Sequence, residues 1–119
     1  MDALKKFHEL KHHIVSAIAY NNREQTIDDV EACVASGEYK VWTEGQSIAL
    51  TEDCVLPRKK YTGIVLAGGV LAPLQELAQK IEEDAKARSL DGVLIVGRAG
   101  WGRVLNGYRK AATVYLKEF

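Results

Sequence analysis

The stretch from Tyr61 to Val96 limits this chain more than any other. Tyr61-Thr-Gly-Ile-Val-Leu-Ala67 is a strand-forming run with a continuous apolar end, and Gly68-Gly69 interrupts it. Leu74, Leu77, Ala78, Ile81 and Ala85 then keep an i, i+3, i+4, i+7 spacing, which predicts an amphipathic helix to about residue 88. Pro73 suits its first turn. Asp91-Gly92 turns the chain into Val93-Leu-Ile-Val96, a second apolar strand that looks buried. Two strands joined through a helix run parallel, so residues 61–96 read as a βαβ unit.

Upstream the pattern changes. Leu4, Phe7, Leu10, Ile14, Ala17 and Ile18 fall on one stripe at about 100° per residue, which predicts a helix over residues 2–20. Residues 21–25 break that pattern. Thr26 can then cap a helix over 27–35, with Asp28, Asp29 and Glu31 at its positive end and Gly37 as a stop. Tyr39-Lys-Val-Trp-Thr43 and Ser47-Ile-Ala-Leu-Thr51, the latter extended through Cys54 and Val55, flank Glu44-Gly45-Gln46 as the strands of a hairpin. A turn around Pro57 to Lys60 leads into the third strand. Downstream, a short helix over 101–105 and a final strand over 108–119 are expected. The order is α-α-β-β-β-α-β-α-β, an α+β (α/β) mixed sheet with three antiparallel strands followed by a βαβ unit. At 119 residues it is expected to form one domain, 1–119.

Charge and motifs remove several functions. Lys plus Arg and Asp plus Glu are 16 each, so no global basic field draws nucleic acid to this chain. A local basic bias at Arg98, Arg103, Arg109, Lys110 and Lys117 reads as a solvated face, because no strip of aromatics accompanies it. Cys33 and Cys54 lack a CxxC or metal spacing and read as reduced, buried thiols. No apolar run is long enough to span a bilayer, and no membrane partner is expected. His8-Glu9-Leu10-Lys11-His12 spells a zinc-protease motif. Both imidazoles nevertheless lie well round the helix from its apolar stripe, no third ligand is supplied, and no metal site is expected. His13 is expected to continue the same polar surface.

This order of elements resembles the GNAT acetyltransferase fold with its first strand absent and its C-terminal strand pair abbreviated. The resemblance is sharpest over residues 61–119. The stretches Ala35-Ser-Gly37 through Val41-Trp42, Ser47 through Thr51-Glu52, Leu66-Ala-Gly-Gly69, Gly97-Arg98-Ala99-Gly100-Trp101 and Gly107-Tyr108-Arg109 are similar to GNAT-like proteins of tailed phages and prophages. The resemblance implies an acetyl-CoA site in which the strand before the long helix splays from its neighbour. It also implies a Gln/Arg-x-x-Gly-x-Gly/Ala turn that offers backbone N–H groups to the pyrophosphate. Residues 69–74 fall over that turn with Gly69 at the Gln/Arg position, Ala72 at the first glycine and Leu74 at the last small residue. Pro73 removes one donor.

Catalytic groups are sparse. The resemblance implies a carboxylate or ordered water as base and a tyrosine as acid. Glu52, Asp53 and Tyr108 stand near suitable positions, but Glu52 and Asp53 read as solvated beside the Pro57 turn and Tyr108 as core. No catalytic residue is assigned. Trp101, between Gly100 and Gly102 and flanked by Arg98 and Arg103, is either a core cap or part of an interaction surface.

The expected function is therefore a catalytically degenerate GNAT-like phage or prophage protein, virion-associated or used in assembly. It has no cofactor and binds other phage or host proteins or itself through an under-covered sheet edge. Its place is the cytoplasm of the bacterial host or the virion. The alternative is an active N-acetyltransferase that carries acetyl from acetyl-CoA to an amine, with Ala67, Gly68, Gly69, Val70 and Leu71 as the cofactor site.

Overall fold

The structure, a computed structural model, describes residues 2–20, 25–96, 105–111 and 115–119. Helix α1 spans Asp2–Tyr20. Its stripe buries Phe7, Leu10, Ile14 and Ile18, as the spacing predicts. Helix α2, Ile27–Ser36, starts in a capping box. The Asp29 amide donates to Thr26 Oγ1 at 3.2 Å and the Thr26 amide donates to Asp29 Oδ2 at 2.9 Å. Gly37 ends it, its amide bonded to the Val34 carbonyl.

Strands β1 (Lys40–Glu44), β2 (Ser47–Val55) and β3 (Lys60–Gly68) form the antiparallel meander. Helix α3 (Leu71–Ala87) crosses to β4 (Gly92–Ile95), which pairs parallel with β3 from Tyr61↔Gly92 to Ile64↔Ile95. The sheet order is β1-β2-β3-β4. Asp91 secures the start of the parallel pair. Its carboxylate accepts from the Lys60 amide at 2.8 Å and its own amide donates to the Lys60 carbonyl at 2.7 Å.

Each face of the sheet carries a core. Phe7, Ile14, Val30, Val34, Ile48, Leu50 and Leu66 join α1 and α2 to one face, and Ala49, Ile64, Leu74, Leu77 and Ile81 join α3 to the other. Pairing shifts between Leu50↔Leu66 and Thr51↔Ile64, so Val65 is an extra residue, a β-bulge. That bulge explains an anomaly of side chains: Ile64 faces α3, while both Val65 and Leu66 face α1. Strict alternation would not allow it.

The expected short helix over 101–105 lies outside the described residues apart from Leu105. The final strand expected over 108–119 differs from what its described residues, 108–111 and 115–119, show, because none of these is in a strand. Tyr115, Leu116 and Phe119 are exposed and so have no packed face to hold a strand in place, and Tyr108 is instead tied by its hydroxyl to α3.

Candidate functional site

The bulge and the end of the parallel ladder coincide. Among the described residues, the last hydrogen bond of the parallel pair runs from the Val96 amide to the Ile64 carbonyl at 3.3 Å, and the register runs to Ile64↔Ile95. The described part of the parallel ladder thus ends level with the bulge. An apolar cavity of about 30 Å³ lies there, lined among others by Ile64, Ala67, Leu74, Ile95, Val96 and Leu105. Its lining side chains are all apolar, and it has room for a methyl-sized group.

The five residues 67–71 follow. Ala67 lines that cavity. Gly68 lies against α1: a Cβ built on it would stand 2.7 Å from the His13 carbonyl oxygen. Gly69 has φ 122° and meets the β1–β2 turn, where a Cβ would stand 2.6 Å from Ser47 Cα. Only glycine fits that backbone angle and that approach. Ser47, fully buried, completes the junction by accepting from the Val70 amide and donating to the Val70 carbonyl, both at 2.8 Å. Val70 and Leu71 are 56% and 48% exposed at the N-terminus of α3, which has no side-chain cap.

The titratable candidates are engaged elsewhere. Asp53 is gripped by Arg88, whose Nη1 and Nη2 donate to Oδ2 and Oδ1 at 2.7 and 3.2 Å. The guanidinium's hydrogen bonds hold the Asp53 carboxyl below the usual range. Arg88 also binds Asp84 at 2.9 Å and so clamps the end of α3 to β2. Glu52 pairs in register with Gly63, before the bulge, and is not among the residues that line the cavity. Tyr108 donates to Glu82 at 2.9 Å, and burial, followed by that carboxylate, pushes its phenol well above the ordinary tyrosine value. Cys33 donates to Glu38 at 2.8 Å, and chiefly for that reason its thiol is pushed up to about 11, far from a reactive thiolate.

The histidines of the zinc-protease spelling make separate contacts. His8 Nδ1 lies 3.4 Å from Glu31 on α2, and the His12 ring rests on His13 with centroids 4.0 Å apart. Among the described residues no group of three or more His, Cys, Asp or Glu could hold a metal ion. His13 departs from the solvated position expected of it. It is half-buried with Nε2 enclosed and unpaired among the described residues, because Gly68 brings β3 against its backbone. Arg98, Trp101 and Arg103 lie outside the described residues. Ser47, His13 and the Val65 bulge, which shape the junction, carry no signature that sequence reading could use.

No protein-family model matches the sequence, and no curated protein sequence matches it. Solved structures do. A protein described as a probable acetyltransferase superposes with a TM-score of 0.67 at 10% identity, covering 100% of this chain and 95% of that one. The ribosomal-protein-alanine N-acetyltransferase of Brucella melitensis biovar Abortus 2308 gives 0.61 at 14% identity, covering 98% and 95%. A Thermus thermophilus protein gives 0.56 at 10%, covering 79% and 82%. The chain has a GNAT-like fold, with a four-stranded mixed sheet and three helices among the described residues.

Proposed function

We propose that this chain uses the GNAT-like fold without acetyl-transfer chemistry, as a module that acts by binding other proteins. The observation that carries the reading is the junction at residues 67–71. An acyl-CoA pyrophosphate needs small residues and free amides there. Gly68 and Gly69 are instead accounted for by His13 and Ser47 of the same chain, the Val70 amide is taken by Ser47, and Pro73 has no amide to give. The residues present do not fit the group. With Asp53 held by Arg88 and the Tyr108 proton by Glu82, no free acid–base pair stands beside the cavity among the described residues. That the partners are components of a phage or prophage particle, or host proteins, rests on the sequence resemblance. Calorimetric titration with acetyl-CoA tests the reading. No saturable heat is expected with ligand up to about 1 mM, and micromolar binding overturns it.

One observation favours the other reading, an N-acetyltransferase acting on the amine of a protein or small molecule. An apolar cavity lies beside the bulge at the end of the described parallel ladder, and proteins of similar fold are described as acetyltransferases. This reading requires acetyl-CoA to bind saturably, and Gly68→Ala to abolish binding in a protein that remains folded.

A further inference from the structure

Strand β1 has a neighbour on one side only, β2, among the described residues. It is five residues long, Lys40-Val-Trp-Thr-Glu44, and lacks the proline, bulge or central lysine that commonly protects an exposed edge. We propose that this edge docks the β1 strand of a second copy of the chain, antiparallel, about a two-fold axis at Trp42.

The backbone sets the first condition. Glu44↔Ser47 closes a two-residue turn, with Gly45 at φ 54° as a primed hairpin turn requires. Such a turn closes on a hydrogen-bonded pair, and alternation then directs the amides and carbonyls of Lys40, Trp42 and Glu44 to β2. Those of Val41 and Thr43 point to the open edge. In a pair centred on Trp42, Val41 stands opposite Thr43 of the second copy, and the reverse, so both outward residues on each strand gain their backbone bonds. Trp42 stands opposite its own copy at a non-hydrogen-bonded position, where side chains come closest.

Charge selects this register. Lys40, Trp42 and Glu44 share the α3 face: Lys40 lies 3.8 Å from Asp84, Glu44 lies 2.7 Å from Lys80, and Trp42 packs against the α3-side core. Centring on Trp42 puts Lys40 opposite Glu44 of the second copy twice. Centring on Thr43 puts Glu44 opposite an indole, centring on Val41 leaves Glu44 without Lys40 opposite it, and parallel pairing puts like charges together. The strand is thus complementary to itself, as a two-fold contact requires. The Lys40 side chain is 59% exposed and can reach a second partner.

Sedimentation velocity of the full chain up to about 500 µM tests the proposal, since a short edge pairing is expected to be a weak dimer. Lys40→Glu and Glu44→Lys each place like charges opposite one another and weaken self-association about tenfold or more. An equal mixture of the two variants has complementary charges at both positions and regains the dimer. Independently of any variant, hydrogen exchange at the Val41 and Thr43 amides of the wild type slows as protein concentration rises. A wild-type monomer throughout, a dimer indifferent to either substitution, a mixture that stays monomeric, or exchange at those amides independent of concentration would each overturn the proposal.

Discussion

The charged groups nearest the sheet are arranged as clamps, and their titration reports it. Arg88 holds Asp53 through two hydrogen bonds and lowers its pKa, although the Asp53 carboxylate is half exposed and partly screened by water. A carboxyl depressed on folding contributes stability above its unfolded value, about 4, and loses it as pH falls through the folded value. Arg88→Ala should therefore cost about 1 kcal/mol in urea unfolding at pH 7, and that cost should shrink as pH falls below about 4 and through the folded value, where the Asp53 carboxyl takes up its proton. A gap unchanged with pH would mean that Arg88 acts only by packing its stem. Tyr108 shifts the other way, so its contribution is complete below the ordinary tyrosine value and is lost as pH rises through its own. Absorbance titration at alkaline pH should show Tyr108 among the last of the tyrosines to ionise, and Tyr108→Phe should remove that late step. Neither clamp was legible in the sequence. Asp53 and Arg88 are 35 residues apart, and nothing local in either segment names the other.

At the scale of elements, periodicity located every helix and strand that the described residues contain up to β4, to within a residue or two. The burial of Phe7, Leu10, Ile14 and Ile18 is what an apolar stripe dictates in water. The bulge at Val65 escaped because Ile64-Val65-Leu66 is uniformly apolar, and a uniform run conceals a change of face. The strand expected over 108–119 rested on residue type alone, and strand propensity depends on a surface to pack against. The glycine pair was visible, but its cause was not. Gly68 is small because α1 is close, and Gly69 because the turn beside Ser47 is close at a backbone angle that other residues resist. Gly68→Ala should lower stability by about 1–3 kcal/mol as α1 is displaced, and Gly69→Ala by at least as much. Ser47→Ala should cost about 1 kcal/mol, since it removes both hydrogen bonds to Val70 and leaves the Val70 amide without that partner, while its carbonyl keeps the Leu74 amide. Chemical denaturation measures all three. Full stability with loss of acetyl-CoA binding in the glycine variants would instead assign the pair to a cofactor.

For the whole molecule, the acyl-CoA alternative and the β1 pairing make different statements about what stabilises it, and thermal unfolding separates them. Anything that binds the folded chain alone raises its melting temperature by mass action. Acetyl-CoA at a hundred times its dissociation constant would contribute about 2.7 kcal/mol, or roughly 10 °C for a domain of this size. A second copy docked on β1 acts through the same linkage, with protein concentration as the variable. A tenfold rise in a mostly dimeric sample is worth about 1.4 kcal/mol per dimer, or about 3 °C. The edge lies at β1 and the junction after β3, and the order β1-β2-β3-β4 keeps them on different strands, so the two effects can be read separately. The expected result is a melting temperature that climbs with the chain's own concentration and ignores about 1 mM acetyl-CoA. The reverse pattern would return the cavity and glycine junction after Ile64 to the role of an acyl-CoA site and leave β1 a solvated edge. Indifference to both would place the partner-binding surface away from β1, on residues that contact a different protein.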